Sequence, residues 1–348
     1  MIGLRIGLVL ALTAGMLSHC SRKPPPPLPV VPVKAGPEIA LQTTPVPLDA
    51  SNPARTTIEG FVFAGGVAIT STETSRLHGL SDLAIASDGG LMAVTDDGDL
   101  FQARLVLDPA GRLIGLSDGK LEGLKGLDGQ PLQGKEKGDA EGLAILATGD
   151  RLISFERDHR IWLYPAAGGP PRPAPKPATI LPYNEGMEAL AAYPAAGPDA
   201  YLVGGEEGET WLCKLSAACQ ALAPQQGPDF TWGLTAMTAF NGPAIATFHR
   251  GFDPIRGWRG ILRFVANPMA PPARQTAVAS LHLDGSTTRD NYEGLALGTT
   301  PSGATRVYLI SDDGGVPGQR TLLMAFDWTP PPPPPPPPVR KKATPRRR

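Results

Sequence analysis

Carboxylates recur at one phase of a repeated pattern. Glu141, Glu188 and Glu293 each sit at the start of a short apolar run: "AEGLAIL" from Ala140, "MEALAAY" from Met187 and "YEGLALG" from Tyr292. Asp82 stands in the matching run "LSDLAIA" from Leu80, and "GLTAMTAF" from Gly233 carries Thr235 instead. A second set closes the apolar run that follows: Asp96-Asp97, Glu156-Arg157-Asp158, Glu206-Glu207, His249-Arg250 and Asp312-Asp313. Crowded carboxylates repel and desolvate one another, so acids brought together need a cation or shared protons. Hard oxygen ligands favour Ca²⁺ over thiophilic metals. Candidate metal ligands are Asp82, Glu141, Glu188, Glu293, Asp96 and Asp312. Candidate catalytic residues are Glu141, Glu156, Arg157, His249 and Arg250, with the two arginines suited to hold developing negative charge. Each acid alone has a plainer use, because an Asp or Glu at a strand start can cap a turn through backbone N–H groups.

The elements that must position these residues follow from the same pattern. The matching runs begin near residues 80, 140, 187, 233 and 292. A spacing of roughly fifty residues marks propeller blades or a solenoid. Each first run is followed by a second that ends on the charged group, then by a third: "DLFQARLVL", "RIWLYP", "ETWLCKL", "RGILRFV" and "TLLMAFDW". All are short, β-rich and bounded by Gly, Pro or Asp, which marks strands. Fourth strands are expected in "GRLIGLS", "ATILPY", "CQALA" and "QTAVASLHL". The fifth unit lacks one, and the unassigned N-terminal run "IEGFVFAGGVAIT" (Ile58 to Thr70) supplies it. The fold class is therefore an all-β propeller of five four-stranded blades, closed by the N-terminal strand so that no sheet edge is left open. It becomes six if Leu116 to Gly138 is more than a loop. Consecutive strands are antiparallel, so the start of each first strand lies beside the end of each second. Every charged group then converges on one mouth of the channel.

These residues resemble the phytase-like domain family, described as having esterase-like activity. The likeness runs through "HGLSDLAI", "LDGQPLQGKEKGDAEGLAIL", "RLISFERD", "NEGMEALAA", "FHRGFDP", "RGILRF", "NYEGLAL" and "YLISDD", most of Phe61 to Trp328. The stretch "AEGLAILATGDRLISFERDHRIWLY" is also similar to a blade of calcium-dependent β-propeller phytases. The resemblance implies a Ca²⁺ site with Glu141 and Glu156 on the metal side and Arg157 and Arg250 on the anion side. The sequence departs from that pattern at Asp82 and Thr235, and few lysines are expected at the mouth.

The remaining signals bound the setting. Net charge is -1 with a pI near 6.5, so no global field favours nucleic acid. "MIGLRIGLVLALTAGMLSHC" is too short to span a bilayer and fits a cleaved signal peptide over 1-20. "LSHC" resembles a lipobox with Cys20 as the lipidated residue, and His19 departs from it. A lipid anchor and an ordinary export signal both fit, with a bacterial periplasm or envelope as the location. Residues 21-53 are Pro-rich and read as a tether, 54-329 as the globular domain and 330-348 as a polyproline spacer with a basic tip suited to anionic envelope polymers. In an oxidising compartment Cys213 and Cys219 are expected to pair across a hairpin, two free thiols being the alternative. A monomer is expected. "GLSDG" around Ser117 matches G-x-S-x-G, but no helix follows it as a hydrolase elbow requires. His78 precedes the first inner strand and is a second candidate base.

Together these residues point to an exported propeller that hydrolyses a small-molecule phosphoester or carboxylic ester with a metal at its acidic mouth. The alternatives are a non-catalytic binding or scaffold propeller, with structural Ca²⁺ or none, and a lactonase.

Overall fold

The computed structural model describes residues 38–315 and 318–330. The calls on the signal segment, Cys20, the first part of the tether and the tail after Pro330 lie outside the described residues. Among the described residues three strands come first: β1 (Gln42–Pro45), β2 (Thr57–Ile58) and β3 (Phe61–Thr70). The first blade is β4 (Leu80–Ile85), β5 (Gly90–Thr95), β6 (Asp99–Leu107) and β7 (Leu113–Gly123). After a four-residue helix, α1 (Lys135–Gly138), the second is β8 (Ala140–Ile145), β9 (Arg151–Phe155), β10 (Arg160–Tyr164) and β11 (Arg172–Ala174). The third is β12 (Ala189–Ala192), β13 (Ala200–Gly204), β14 (Thr210–Lys214) and β15 (Ala217–Ala221). The fourth is β16 (Trp232–Phe240), β17 (Ala244–Asp253), β18 (Gly257–Val265) and β19 (Ala277–Leu283). The fifth is β20 (Asn291–Thr299), β21 (Thr305–Asp312) and β22 (Leu322–Trp328), completed by β3.

The first strands β4, β8, β12, β16 and β20 pack in succession, and β20 returns to β4. They line the channel of a five-bladed β-propeller. Pairing of β3 with β22, from Phe61 opposite Trp328 to Ala68 opposite Leu322, closes the ring. Apolar side chains fill the wedges between blades, in clusters such as Phe155, Leu143 and Ile153 between the first and second blades. Closure by main-chain pairing at the chain ends leaves the fifth sheet without an exposed edge where the ring meets.

Several expectations are corrected. The span Leu116 to Gly138 does not add a sixth blade: it is the latter half of β7, a loop and α1. The fourth strand of the second blade is Arg172–Ala174, not "ATILPY", whose Pro182 and fully exposed Ile180 fit a position outside the sheet. The folded part begins before Ala54, inside the span expected to be a tether. β1 pairs with β3 outside the closing strand, and Leu48 is fully buried. Proline is compatible with such an edge strand because the edge does not use every N–H. Cys213 on β14 and Cys219 on β15, on paired strands of one hairpin, are disulfide-bonded.

Candidate metal centre at the channel mouth

The mouth is built by a repeated irregularity. Inner strands of four blades carry a register shift against their second strands: between Leu80 and Asp82, Ala140 and Leu143, Leu234 and Ala236, and Tyr292 and Gly294. Each is a β-bulge, in which an extra residue re-aims its side chain. The residues at the bulge are Ser81, Glu141, Thr235 and Glu293, and Glu188 stands at the same phase just before β12. The glycine after the acid has its own reason. A Cβ on Gly142 would lie 2.6 Å from Leu190 Cβ of the next inner strand, and one on Gly294 would lie 2.8 Å from the backbone of Asp82. The Glu-Gly pair thus joins an acid aimed at the mouth to a residue small enough for two blades to touch.

That phase also corrects the role of Asp82. It occupies the glycine position, one residue beyond the acid position, which is Ser81 in this blade. A one-residue offset on a strand sends the side chain the other way. Asp82 is buried, and its carboxylate accepts N–H groups from Leu83 at 2.8 Å, Leu143 at 2.8 Å and Leu295 at 3.4 Å. It ties β4, β8 and β20 together and is not a free ligand of the mouth. Burial pushes its carboxyl well above the usual carboxylate range, against those three hydrogen bonds.

The other predicted acids do converge. Glu141, Glu188, Glu293 and Asp96 are all 9% exposed or less. Asp139, Glu141 and Glu156 each place an oxygen within 4.8 Å of the others. Glu141 is pushed well above the ordinary range by burial and by Glu188, Glu293, Asp139 and Glu156. Burial and Glu206 do the same to Glu188. Glu156 is raised to about 7 by burial and Asp139. Glu293 is raised to about 8 by burial, against the pull of Arg250. Asp312 rises to about 6 through burial and Asp96.

Three cations meet these acids. Arg250 bonds Glu293, reaches Asn291 Oδ1 at 2.9 Å and Glu206 at 3.2 Å. Burial opposes its charge, but Glu293, Glu188 and Glu206 hold it protonated above its ordinary value. Arg157, in the left-handed region at φ 59°, donates to Asp139 and lies over the Tyr183 ring. Lys135 Nζ on α1 lies 2.7 Å from Asp96 and 3.7 Å from Asp139. Lys135 is the one lysine paired with these acids among the described residues, folded back over the mouth by the insertion before β8.

Besides Lys135, two further residues at the mouth were not picked out in sequence. Asp139 directly precedes the Glu141 run, and only its burial, at 1% exposed, shows that it faces the acids. Asn291 precedes Glu293 and bridges it to Asp312. His249 is corrected in the opposite direction. It is buried one position out of phase with Arg250, with Nε2 2.8 Å from the Gln225 carbonyl. Burial lowers it to about 4, so it stays neutral and does not face the acids as a base. His78 pairs with Asp97 at 3.2 Å, and that bond raises it. Ser117 lies on the outer strand β7, bonded to Asp118.

The donor set fits a hard cation. Asp96 Oδ1 and Asp139 Oδ1 are buried without a hydrogen-bond partner among the described residues. Carboxylate oxygens left unpaired among acids of raised pKa are what a divalent ion would satisfy. Beside the mouth, Glu206 and Arg250 lead into a cavity of about 780 Å³ walled by Phe230, Trp232, Phe252 and Trp258.

The model of the phytase-like family, described as esterase-like activity of phytase, matches residues 75–315. Solved structures similar to the chain include virginiamycin B lyase from Staphylococcus aureus, at 10% identity and TM-score 0.41, over 83% of this chain and 100% of that one. A proposed gluconolactonase is similar at 12% identity and TM-score 0.43, over 85% and 94%. A streptogramin B lyase is similar at 9% identity and TM-score 0.38, over 83% and 97%. No curated protein matches the chain.

Proposed function

The chain belongs to the phytase-like family, and from that premise we propose that it is an exported, metal-dependent hydrolase of a small phosphoester or carboxylic ester. The observation that carries this is the convergence of Asp139, Glu141 and Glu156 within 4.8 Å, ringed by further buried acids. These three would hold Ca²⁺, with Glu188 and Asp96 nearby. When bound, such an ion polarises a phosphoryl or carbonyl oxygen and activates water.

The chain's own residues do the rest. Arg250 is fixed by Glu293, Asn291 and Glu206 at the edge of the aromatic cavity, where it can bind an anionic group or hold charge developing on the substrate. Arg157, partly buried, and Lys135, half-exposed at the rim, orient Asp139 and Asp96. Glu293 and Glu188 share protons with their neighbours when no cation is present. The aromatic walls, with Phe230 and Phe252 largely exposed, offer a surface for the apolar part of a substrate.

One observation favours a second reading. Arg157, Lys135 and Arg250 already neutralise several of the acids, so a binding or scaffold propeller could hold the same ring without catalysis. The deciding experiment measures the melting temperature of the purified protein in EDTA and then in graded Ca²⁺, Mg²⁺ and Mn²⁺, followed by phosphoester, ester and lactone panels. A saturable rise with Ca²⁺ and metal-dependent turnover are expected. A rise without turnover leaves the scaffold, and no rise with any ion overturns the metal mechanism.

A further inference from the structure

A second cavity, of about 510 Å³, lies on the fourth blade outside the acidic ring. Its walls include Arg256, Arg259, Arg289 and His282, with Trp232 and Asp284. None of the three arginines forms an ion pair with a carboxylate among the described residues. Asp284 lines the cavity, and the charges of Arg256 and Arg259 act on Asp253 and that of Arg259 on Asp229, but the carboxylates of Asp253, Asp229 and Glu59 each bond another group. Asp253 caps the amides of Ile255 and Arg256, Asp229 caps Thr231, and Glu59 holds His282. Arg259 lies over the Trp232 ring, 4.5 Å from its centroid, and its Nε is buried without a hydrogen-bond partner. Arg289 is pinned through the carbonyl of Arg256 at 2.6 Å, which holds a second guanidinium at the rim.

Three guanidinium groups against the single carboxylate of Asp284 in the cavity wall, one with an unsatisfied buried N–H, leave an excess of positive charge suited to an anion. The apolar surroundings say what that anion is attached to. Trp232 lines both this cavity and the one at the mouth, and Phe230 and Ile255 stand 99% and 96% exposed beside them. An inorganic anion would leave these side chains in water. A ligand with an aryl or alkyl body would cover them.

We propose that Arg256, Arg259 and Arg289 bind the terminal anionic group of an amphipathic small molecule whose apolar body lies along Trp232 towards Phe252 and Trp258. The chemistry is that of an arylsulfonate or arylcarboxylate. The extension to substrate selection, in which the far end of that molecule reaches the acidic mouth, rests on the hydrolase reading. The anion cavity does not.

The test is calorimetric titration of the full chain with naphthalene-2-sulfonate and, separately, with neutral 2-methoxynaphthalene. Wild type should bind the sulfonate at one site, at least tenfold more tightly than the neutral ether, and added salt should weaken only the former. Arg256→Gln/Arg289→Gln should lose at least tenfold for the sulfonate and change less than twofold for the ether. The single Arg256→Ala, at an exposed position, should lose part of the same affinity and guards against misfolding of the double variant. Glu141→Gln should leave sulfonate binding unchanged, which separates this cavity from the metal site. Equal affinity for the two probes, or a sulfonate affinity untouched by the arginine variants, overturns the proposal. Inorganic sulfate binding as tightly as the aryl sulfonate would overturn the apolar half.

Discussion

At the scale of residues, two acids one position apart do different work. Glu141 sits on a bulge and faces other carboxylates, while Asp82 sits one step on and holds three inner strands by their amides. Their variants should separate. Glu141→Gln removes a ligand and a source of repulsion, so the metal-free protein should be as stable as wild type or more so, with Ca²⁺ affinity down by at least tenfold. Asp82→Ala leaves buried amides unpaired and should cost about 2–3 kcal/mol, with the Ca²⁺ affinity of the folded protein little changed. Melting curves with and without Ca²⁺ check both. Arg250→Lys keeps charge but cannot hold Glu293, Asn291 and Glu206 together, so turnover should fall at least tenfold with folding retained.

At the scale of elements, the inner strands need small residues where blades meet. Gly142→Ala places a methyl 2.6 Å from both Leu190 Cβ and Ser154 Oγ, so it should destabilise by about 1–3 kcal/mol. Denaturant unfolding reads that cost. The segment before β2 is also part of the domain, because β1 extends the closing sheet and Leu48 lies in the core shared by the fourth and fifth blades. Removal of residues before Ala54 should therefore lower the melting temperature by several degrees, a result that a flexible tether would not give. The charge pattern did not reveal β1, because its residues "QTTP" look like any polar, Pro-containing linker. Its pairing partner, β3, is set by the tertiary arrangement of the closing sheet rather than by a pattern within "QTTP".

At the scale of the whole molecule, the acidic mouth makes stability depend on pH and metal together. Asp312, Glu156 and Glu293 titrate at about 6, 7 and 8 in the folded chain, above their unfolded values. The folded state then binds more protons than the unfolded one, and stability falls as pH rises through that window. The slope is up to about 1.4 kcal/mol per pH unit for each fully titrating group. His78, raised by Asp97, acts in the same direction, losing its stabilising proton as pH rises. His249 acts oppositely but only in acid, because both states are neutral at that ring above about pH 7. Metal-free protein should thus melt lower at pH 8.5 than at pH 6.5. Saturating Ca²⁺, which binds the ionised acids, should flatten or reverse the trend. Calorimetric scans across that range with EDTA and with Ca²⁺ measure it.

Five repeats of a strand pattern, spaced to make blades and short of one strand at the end, determined the propeller and its closure by the N-terminal strand. Antiparallel pairing then sufficed to predict that acids far apart in sequence meet at one mouth, because neighbouring strand ends must. What only the tertiary structure decided was phase and approach. Strand bulges separated Asp82 from the acids it resembles, and the fold turned His249 away from Arg250's side. A loop insertion carried Lys135 and Asp139 to the mouth. The packing of the fourth blade gathered Arg256, Arg259 and Arg289 beside Trp232. Periodicity records which face a residue occupies on an ideal strand. A single inserted residue changes that face, and a loop's path is fixed only by what it packs against.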